Sequence, residues 1–170
     1  MADSIGKSQT TFYIFRHGET FATKANTGYG RKVFTADILE EGKPILRKLG
    51  EYLKNVPTDF NTSSKIRRCI QTVGIISQES DKKFVFDSRL NEYFLEPFGR
   101  FRRRLKGVLL DIDKNDYQSV CICTHGACIA ALVEILTGTK YASPKYLNYP
   151  DPGVLLVIED GVIKDQVDFN

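Results

Sequence analysis

The sequence predicts a three-layer α/β/α fold with a mostly parallel central sheet and an antiparallel hairpin at its C-terminal edge. Short apolar runs rich in β-branched and aromatic residues alternate with longer segments whose apolar residues recur at helical spacing. That alternation is the pattern of a parallel sheet covered on both faces. Two of the runs, residues 10–15 and 119–124, stop where a histidine stands, in Arg16-His17-Gly18 and Thr124-His125-Gly126. Near the end of the chain, residues 153–158 and 162–167 flank Asp160-Gly161, a two-residue hairpin turn.

Residues 10–15 form the first strand, and residues 21–37 read as a Gly-containing loop without a clear period. Glu41-Gly42-Lys43-Pro44 opens a helix, with proline tolerated in its first turn. Ile45, Leu46, Leu49, Tyr52, Leu53 and Val56 give that helix its apolar face, and Pro57 ends it. Residues 59–62 are a short strand. Ser63 or Ser64 is placed to cap a second helix, with Ile66, Ile70, Val73 and Ile76 as its inner stripe. Residues 84–86 are a further strand, and residues 89–97 a loop or short extended segment. Phe98, Phe101, Leu105, Val108, Leu109 and Ile112 mark a third helix. The strand at 119–124 leads into a last helix over 127–136, closed by Gly138.

At 170 residues the chain is expected to form one domain over 1–170, with residues 1–9 as a flexible polar tail. Hydrophobic residues make up 42% and charged residues 26%, as in an ordinary soluble globule. The net charge of +3 is too small to imply nucleic acid and mildly favours anionic substrates. Nothing approaches a membrane span of about 20 apolar residues, and the start lacks a secretory apolar stretch, so a cytoplasmic location is the default expectation. Cys121 and Cys123 share a strand face that His125 would continue, and Cys128 follows. Zinc sites favour longer ligand spacers, so these cysteines, with Cys69, are expected to be small core residues.

In an open α/β sheet, ligand chemistry gathers beyond the carboxyl ends of parallel strands. The first strand delivers Arg16 and His17 there. The second leads through the serines to a helix whose first turn carries Arg67 and Arg68, and the third delivers His125. Two guanidinium groups, two imidazoles and two helix starts suit a phosphate dianion. A neutral imidazole nitrogen is a nucleophile toward phosphorus, and neighbouring guanidinium charges keep the ring neutral. A nearby carboxylic acid can protonate the leaving alkoxide. The arginines supply the charge stabilisation, so no metal or other cofactor is expected.

Arg16-His17-Gly18-Glu19-Thr20 resembles the signature of the histidine phosphatase superfamily, which includes the cofactor-dependent phosphoglycerate mutases. The block from Ser63 through Arg67-Arg68-Cys69-Ile70-Gln71-Thr72 resembles the family's second motif, in the register that selects Arg68. Arg89-Leu90-Asn91-Glu92 resembles the segment carrying the proton donor, and Thr124-His125-Gly126 the final block. The resemblance implies that His17 is the nucleophile, that Arg16 and Arg68 bind the phosphoryl group with His125, and that Glu92 is the acid, with Glu96 as its alternative.

The departures concern the substrate. Thr23 stands where many members have asparagine, with Asn26 as a substitute, and the usual Asp-x-x-Leu-Thr-x-x-Gly is altered to Asp37-Ile38-Leu39-Glu40-Glu41-Gly42. Only about thirty residues separate Glu92 from His125, where the mutases carry a larger insertion that covers the substrate. The resemblance therefore implies a phosphatase that hydrolyses a small phosphorylated metabolite. The alternatives are a phosphoglycerate-mutase-type phosphotransferase, a phosphohistidine protein phosphatase and, outside enzymes, a phosphate-binding regulatory module. Arg100, Arg102, Arg103, Arg104 and Lys106 form a basic run, but the apolar residues interleaved with them give the helix an inner face. The charges are expected on its solvent side, with no nucleic-acid or membrane partner.

Overall fold

The computed structural model describes residues 10–139 and 149–170; the expected tail at 1–9 lies outside them. The chain runs β1 (Thr11–Arg16), α1 (Phe21–Ala25), α2 (Lys43–Lys54), β2 (Phe60–Ser63), α3 (Arg67–Ser80), β3 (Val85–Phe86), α4 (Phe98–Lys114), β4 (Ser119–Thr124), α5 (Gly126–Thr137), β5 (Val154–Glu159) and β6 (Val162–Asp168). The six strands form one sheet in the order β3-β2-β4-β1-β5-β6. β1 through β4 are mutually parallel, β5 pairs antiparallel with β1, and β6 closes the edge as a hairpin with β5. Asp160 and Gly161, at φ 50° and 72°, make the tight turn that the sequence predicts.

Alternation along the strands divides the core in two. Phe12, Ile14, Val120, Ile122 and Leu156 point to one face, where Phe101, Leu105, Val108, Ile129 and Leu132 of α4 and α5 cover them. Phe15, Cys121, Cys123 and Leu155 point to the other, under Leu49 and Leu53 of α2 and Cys69, Val73 and Ile76 of α3. Burying one such large side chain stabilises the fold by about 1.5–3 kcal/mol. The cysteines are core residues, as expected. Cys128 belongs to the α5 face, across the sheet from Cys121 and Cys123, so the three thiols do not converge. Burial pushes the Cys121 and Cys128 thiols up to about 12, which makes them inert.

Several local expectations are corrected. The loop expected at 21–37 holds α1 and a 3-10 turn over Gly30–Lys32. Its nucleus is a capping box: Thr20 accepts from the Thr23 N–H, and the Thr23 hydroxyl accepts from the Thr20 N–H. Neither Ser63 nor Ser64 caps α3; the N-cap is Ile66, without a side-chain bond. Ile70 is exposed rather than part of the inner stripe, and Cys69 takes that place, because the face of α3 that packs against α2 and the sheet runs through Cys69, Val73 and Ile76. The basic run is not uniformly a solvent face. Arg100 and Arg103 are exposed, Arg102 pairs with Glu134, and Arg104 turns inward onto Glu96 and the carbonyls of Arg89 and Glu92. Among the described residues, no helix is long and apolar enough to cross a membrane.

Candidate active site

β2, β4 and β1 are adjacent, and their carboxyl ends are laced together. The His17 N–H bonds the Thr124 carbonyl at 3.0 Å and the Ser64 N–H bonds the Cys123 carbonyl at 3.1 Å. This lacing brings Arg16-His17, Ser64 and His125 to one edge, and α3 adds Arg68 from the next turn of chain. The rings of His17 and His125 lie 5.3 Å apart, both fully buried.

Two glycines make the approach possible. A Cβ on Gly18 would stand 2.8 Å from Leu46 Cδ1, and the Gly18 N–H donates to Thr72 Oγ1 at 2.8 Å. A Cβ on Gly126 would stand 2.7 Å from the Tyr149 ring, whose face lies 4.8 Å from the Arg16 guanidinium. Each His-Gly pair thus lets a histidine leave its strand while the backbone behind it packs tightly.

The hydrogen bonds fix both tautomers. His17 Nδ1 lies 2.8 Å from the Gly18 carbonyl, which only accepts, so Nδ1 carries the proton and Nε2 keeps its lone pair. His125 Nδ1 accepts from Arg68 Nη2 at 3.0 Å, so its proton sits on Nε2 and goes to Ser64 Oγ at 2.8 Å. Ser64 passes a hydrogen bond on to Asn91 Oδ1 at 2.9 Å. Burial, reinforced by Arg68 and Arg16, holds His17 well below the usual imidazole range. Burial, then His17 and the two arginines, does the same to His125. Both rings are neutral in the resting site.

Arg68 is fully buried. It donates to the Val33 carbonyl at 2.5 Å and to Glu92 Oε2 at 3.2 Å, and its guanidinium lies 4.1 Å from the centre of the Tyr29 ring. A buried cation–π contact of this kind contributes about 2 kcal/mol. The Nε–H groups of Arg16 and Arg68 are buried without a partner. An unmet buried donor costs about 1–3 kcal/mol, which an oxyanion between the two guanidinium groups would offset. α3 and α5, the helices that start at this edge, have no side-chain caps, so their first-turn N–H groups add positive potential.

Glu92 follows the 3-10 turn Ser88–Leu90, tied down where Thr124 Oγ1 and Cys128 Sγ donate to the Leu90 and Asn91 carbonyls at 2.7 and 3.2 Å. Its Oε2 lies 3.6 Å from His125 Nδ1. Burial raises its pKa despite the pull of Arg68, so the carboxyl keeps its proton above the usual carboxylate range. Glu96 is turned away onto Arg104. Arg67 is exposed and paired with Asp37 at 2.5 Å. Thr23 is occupied by Thr20, and Asn26 is the exposed, left-handed C-cap of α1, so neither faces the histidines.

Three contributors escape sequence reading. Ser64 was expected to cap a helix and instead orients His125. Asn91 backs Ser64. Tyr29 comes from a loop without periodicity, yet its hydroxyl lies 3.3 Å from His17 Nε2 and 2.9 Å from Thr20 Oγ1. Nothing in the spacing around Tyr29 marks it; only the Leu-Asn-Glu likeness could have flagged Asn91.

An imidazole with one nitrogen open, set among two guanidinium groups at the carboxyl edge of a parallel sheet, defines a phosphoryl-handling α/β enzyme. Residues 12–98 and 95–161 match the profile of the histidine phosphatase superfamily, branch 1. The chain belongs to that superfamily, whose phosphatases and mutases act through a histidine. No curated protein sequence matches it significantly. Solved structures share its fold. They include an α-ribazole phosphatase from Shigella flexneri (17% identity, TM-score 0.73, covering 88% of this chain and 90% of that one). A mycobacterial glucosyl-3-phosphoglycerate phosphatase has 18% identity and a TM-score of 0.72 over 87% and 92%. A phosphoglycerate mutase from Bacillus anthracis has 19% identity and a TM-score of 0.68 over 94% and 93%.

Proposed function

We propose that this protein hydrolyses a small phosphate monoester through a phosphohistidine on His17. The observation that carries the reading is the tautomer lock: Nδ1 is committed to the Gly18 carbonyl, so the lone pair of Nε2 is the one free to attack. Arg16 and Arg68 take the phosphoryl oxygens, and their unpartnered Nε–H groups are the donors left over for them. The Tyr29 hydroxyl, which rests on Nε2, moves to a phosphoryl oxygen as the ester enters. Burial raises the Tyr29 pKa, so it stays a donor across neutral pH. A bound phosphoryl group draws Arg68 Nη2 away from His125 Nδ1 and opposes the positive charges around the ring; Nδ1 then takes the proton of the ester monoanion and donates it back to the resulting dianion as a hydrogen bond.

In the first step Nε2 bonds to phosphorus, the ester P–O bond breaks, and Glu92 gives its proton to the departing alkoxide. In the second step water attacks phosphorus, Glu92 recovers a proton from it, the P–N bond breaks, and inorganic phosphate leaves. Charge stabilisation by fixed donors and a placed acid are sufficient for this chemistry.

Hydrolysis is favoured over return of the phosphoryl group because the connection from Glu92 to His125 consists of a short turn, α4 and β4, with no inserted cover. The discriminating assay is p-nitrophenyl phosphate hydrolysis without added metal, wild type against His17→Ala. Loss of phosphate release in the variant is expected, and equal rates would remove the proposal. A mutase would require a bisphosphate primer with 3-phosphoglycerate and release little phosphate.

A further inference from the structure

We infer that the site takes esters whose leaving group is flat and apolar, an aryl or arylalkyl phosphate, seated against Phe34 and Phe94. The inference rests on the phosphatase reading for the direction of the leaving group, but its test does not depend on turnover.

In-line displacement puts the leaving oxygen opposite Nε2, on the side of the acid that protonates it. That acid is Glu92, and the chain beyond it is Tyr93-Phe94-Leu95-Glu96-Pro97-Phe98. The other wall comes from Val33, whose carbonyl grips Arg68, and so from its neighbour Phe34. The two walls meet. The Phe34 and Phe94 rings lie 5.5 Å apart, edge to face, although both stay exposed, Phe34 by 52%. Leu95 is 90% exposed and sits at φ 47°, a left-handed conformation that costs a branched-chain residue about 1 kcal/mol.

Single exposed apolar residues need no explanation, but two exposed rings that meet each other, one next to the Val33 that holds Arg68 and one two residues past Glu92, mark a binding surface. This set is rigidly presented. Arg104 binds the carbonyls of Arg89 and Glu92 and the carboxylate of Glu96, which clamps the turn that carries Phe94 and Leu95. The same clamp consumes the carboxylate of that turn, so Glu96 is not free to bind the hydroxyls of a sugar or polyol. Phe21 is not part of the surface, because Tyr29 packs on its edge and Lys32 lies over its ring.

The test compares equilibrium binding of 3-phenylpropylphosphonate and 3-hydroxypropylphosphonate by calorimetry. Neither is hydrolysed, and their phosphonate groups are alike, so the ratio of affinities reads the leaving-group surface alone. Wild type is expected to prefer the phenyl compound by about tenfold. Phe34→Ala/Phe94→Ala should bring the ratio close to one, while Leu110→Ala, an exposed apolar residue on α4, keeps the wild-type ratio. A wild-type ratio near one, or a double variant that weakens both ligands alike, overturns the inference. A concentration-dependent dimer that the double variant abolishes would assign the rim to a second copy of the chain instead. Hydrolysis is then compared between 2-phenylethyl phosphate and glycerol 3-phosphate. Selective binding without phosphate release would sink the phosphatase reading and leave the surface standing.

Discussion

The two His-Gly corners look alike in sequence and differ in what the fold does with them. Both follow buried parallel strands, both rings are buried, and both are held neutral by the same surroundings. His125 has both nitrogens engaged, by Arg68 at 3.0 Å and Ser64 at 2.8 Å. His17 has one nitrogen fixed by its own backbone at 2.8 Å and the other met, among the described residues, by a phenol at 3.3 Å. The difference is why the proposed mechanism puts the attack on His17: of the two imidazoles, it is the one with a nitrogen that is weakly held. A fully partnered ring binds and orients, and a half-partnered ring can attack.

The most severe way to break this comparison is to exchange the roles. With a phosphorus-labelled ester, His17→Ala should accumulate no acid-labile phosphoenzyme. His125→Ala should still label position 17, with turnover lowered about 10²–10³-fold by loss of one oxyanion donor. Label on residue 125 would invert the assignment.

The acid sharpens it next. Glu92→Gln should lower kcat about 10²–10³-fold on an alkyl phosphate but far less on p-nitrophenyl phosphate, whose leaving group needs little protonation. The pH profile of the alkyl ester gives the sign. In the proposed mechanism His17 works unprotonated, and its pKa is lowered, so activity should fall on the acid side only below the imidazole range. In the same mechanism Glu92 works protonated, and its pKa is raised, so activity should be lost as pH climbs through a value above the ordinary carboxylate. Glu92→Gln should erase the alkaline limb and leave the acid one.

Smaller changes probe the partners. Tyr29→Phe keeps the ring against Arg68 and removes the hydroxyl from Nε2. It should reduce kcat/KM, and weaken inhibition by vanadate, by about tenfold. An unchanged vanadate affinity would mean that the phenol never reaches the phosphoryl group. Ser64→Ala leaves the buried His125 Nε2–H with only the weak acceptor Cys69 Sγ at 3.5 Å, a loss of about 1–3 kcal/mol. A thermal melt should drop by several degrees, with a modest loss of activity.

The strands, the hairpin turn, the helix faces and the two histidine corners were legible because each is written in residues adjacent in the chain. The Thr20–Thr23 capping box is equally local but carries no such mark, because a short helix inside a polar loop leaves no apolar period. Ile70 shows the limit of spacing: a helical stripe fixes a period, and the packing partner fixes its phase. Arg104 shows the limit of composition, since a basic run does not tell which of its members turns inward.

By itself, the chain determined that apolar runs and helical stripes would build a covered parallel sheet, and that two imidazoles and an arginine would stand at strand ends. Backbone hydrogen bonding and side-chain alternation act over a few residues, so sequence encodes them directly. Only the tertiary structure decided which imidazole nitrogen is open, that Tyr29 reaches it, that Ser64 serves His125 instead of a helix, and that Phe34 meets Phe94. Those contacts join segments far apart in the chain, and their distances are set by how the layers pack.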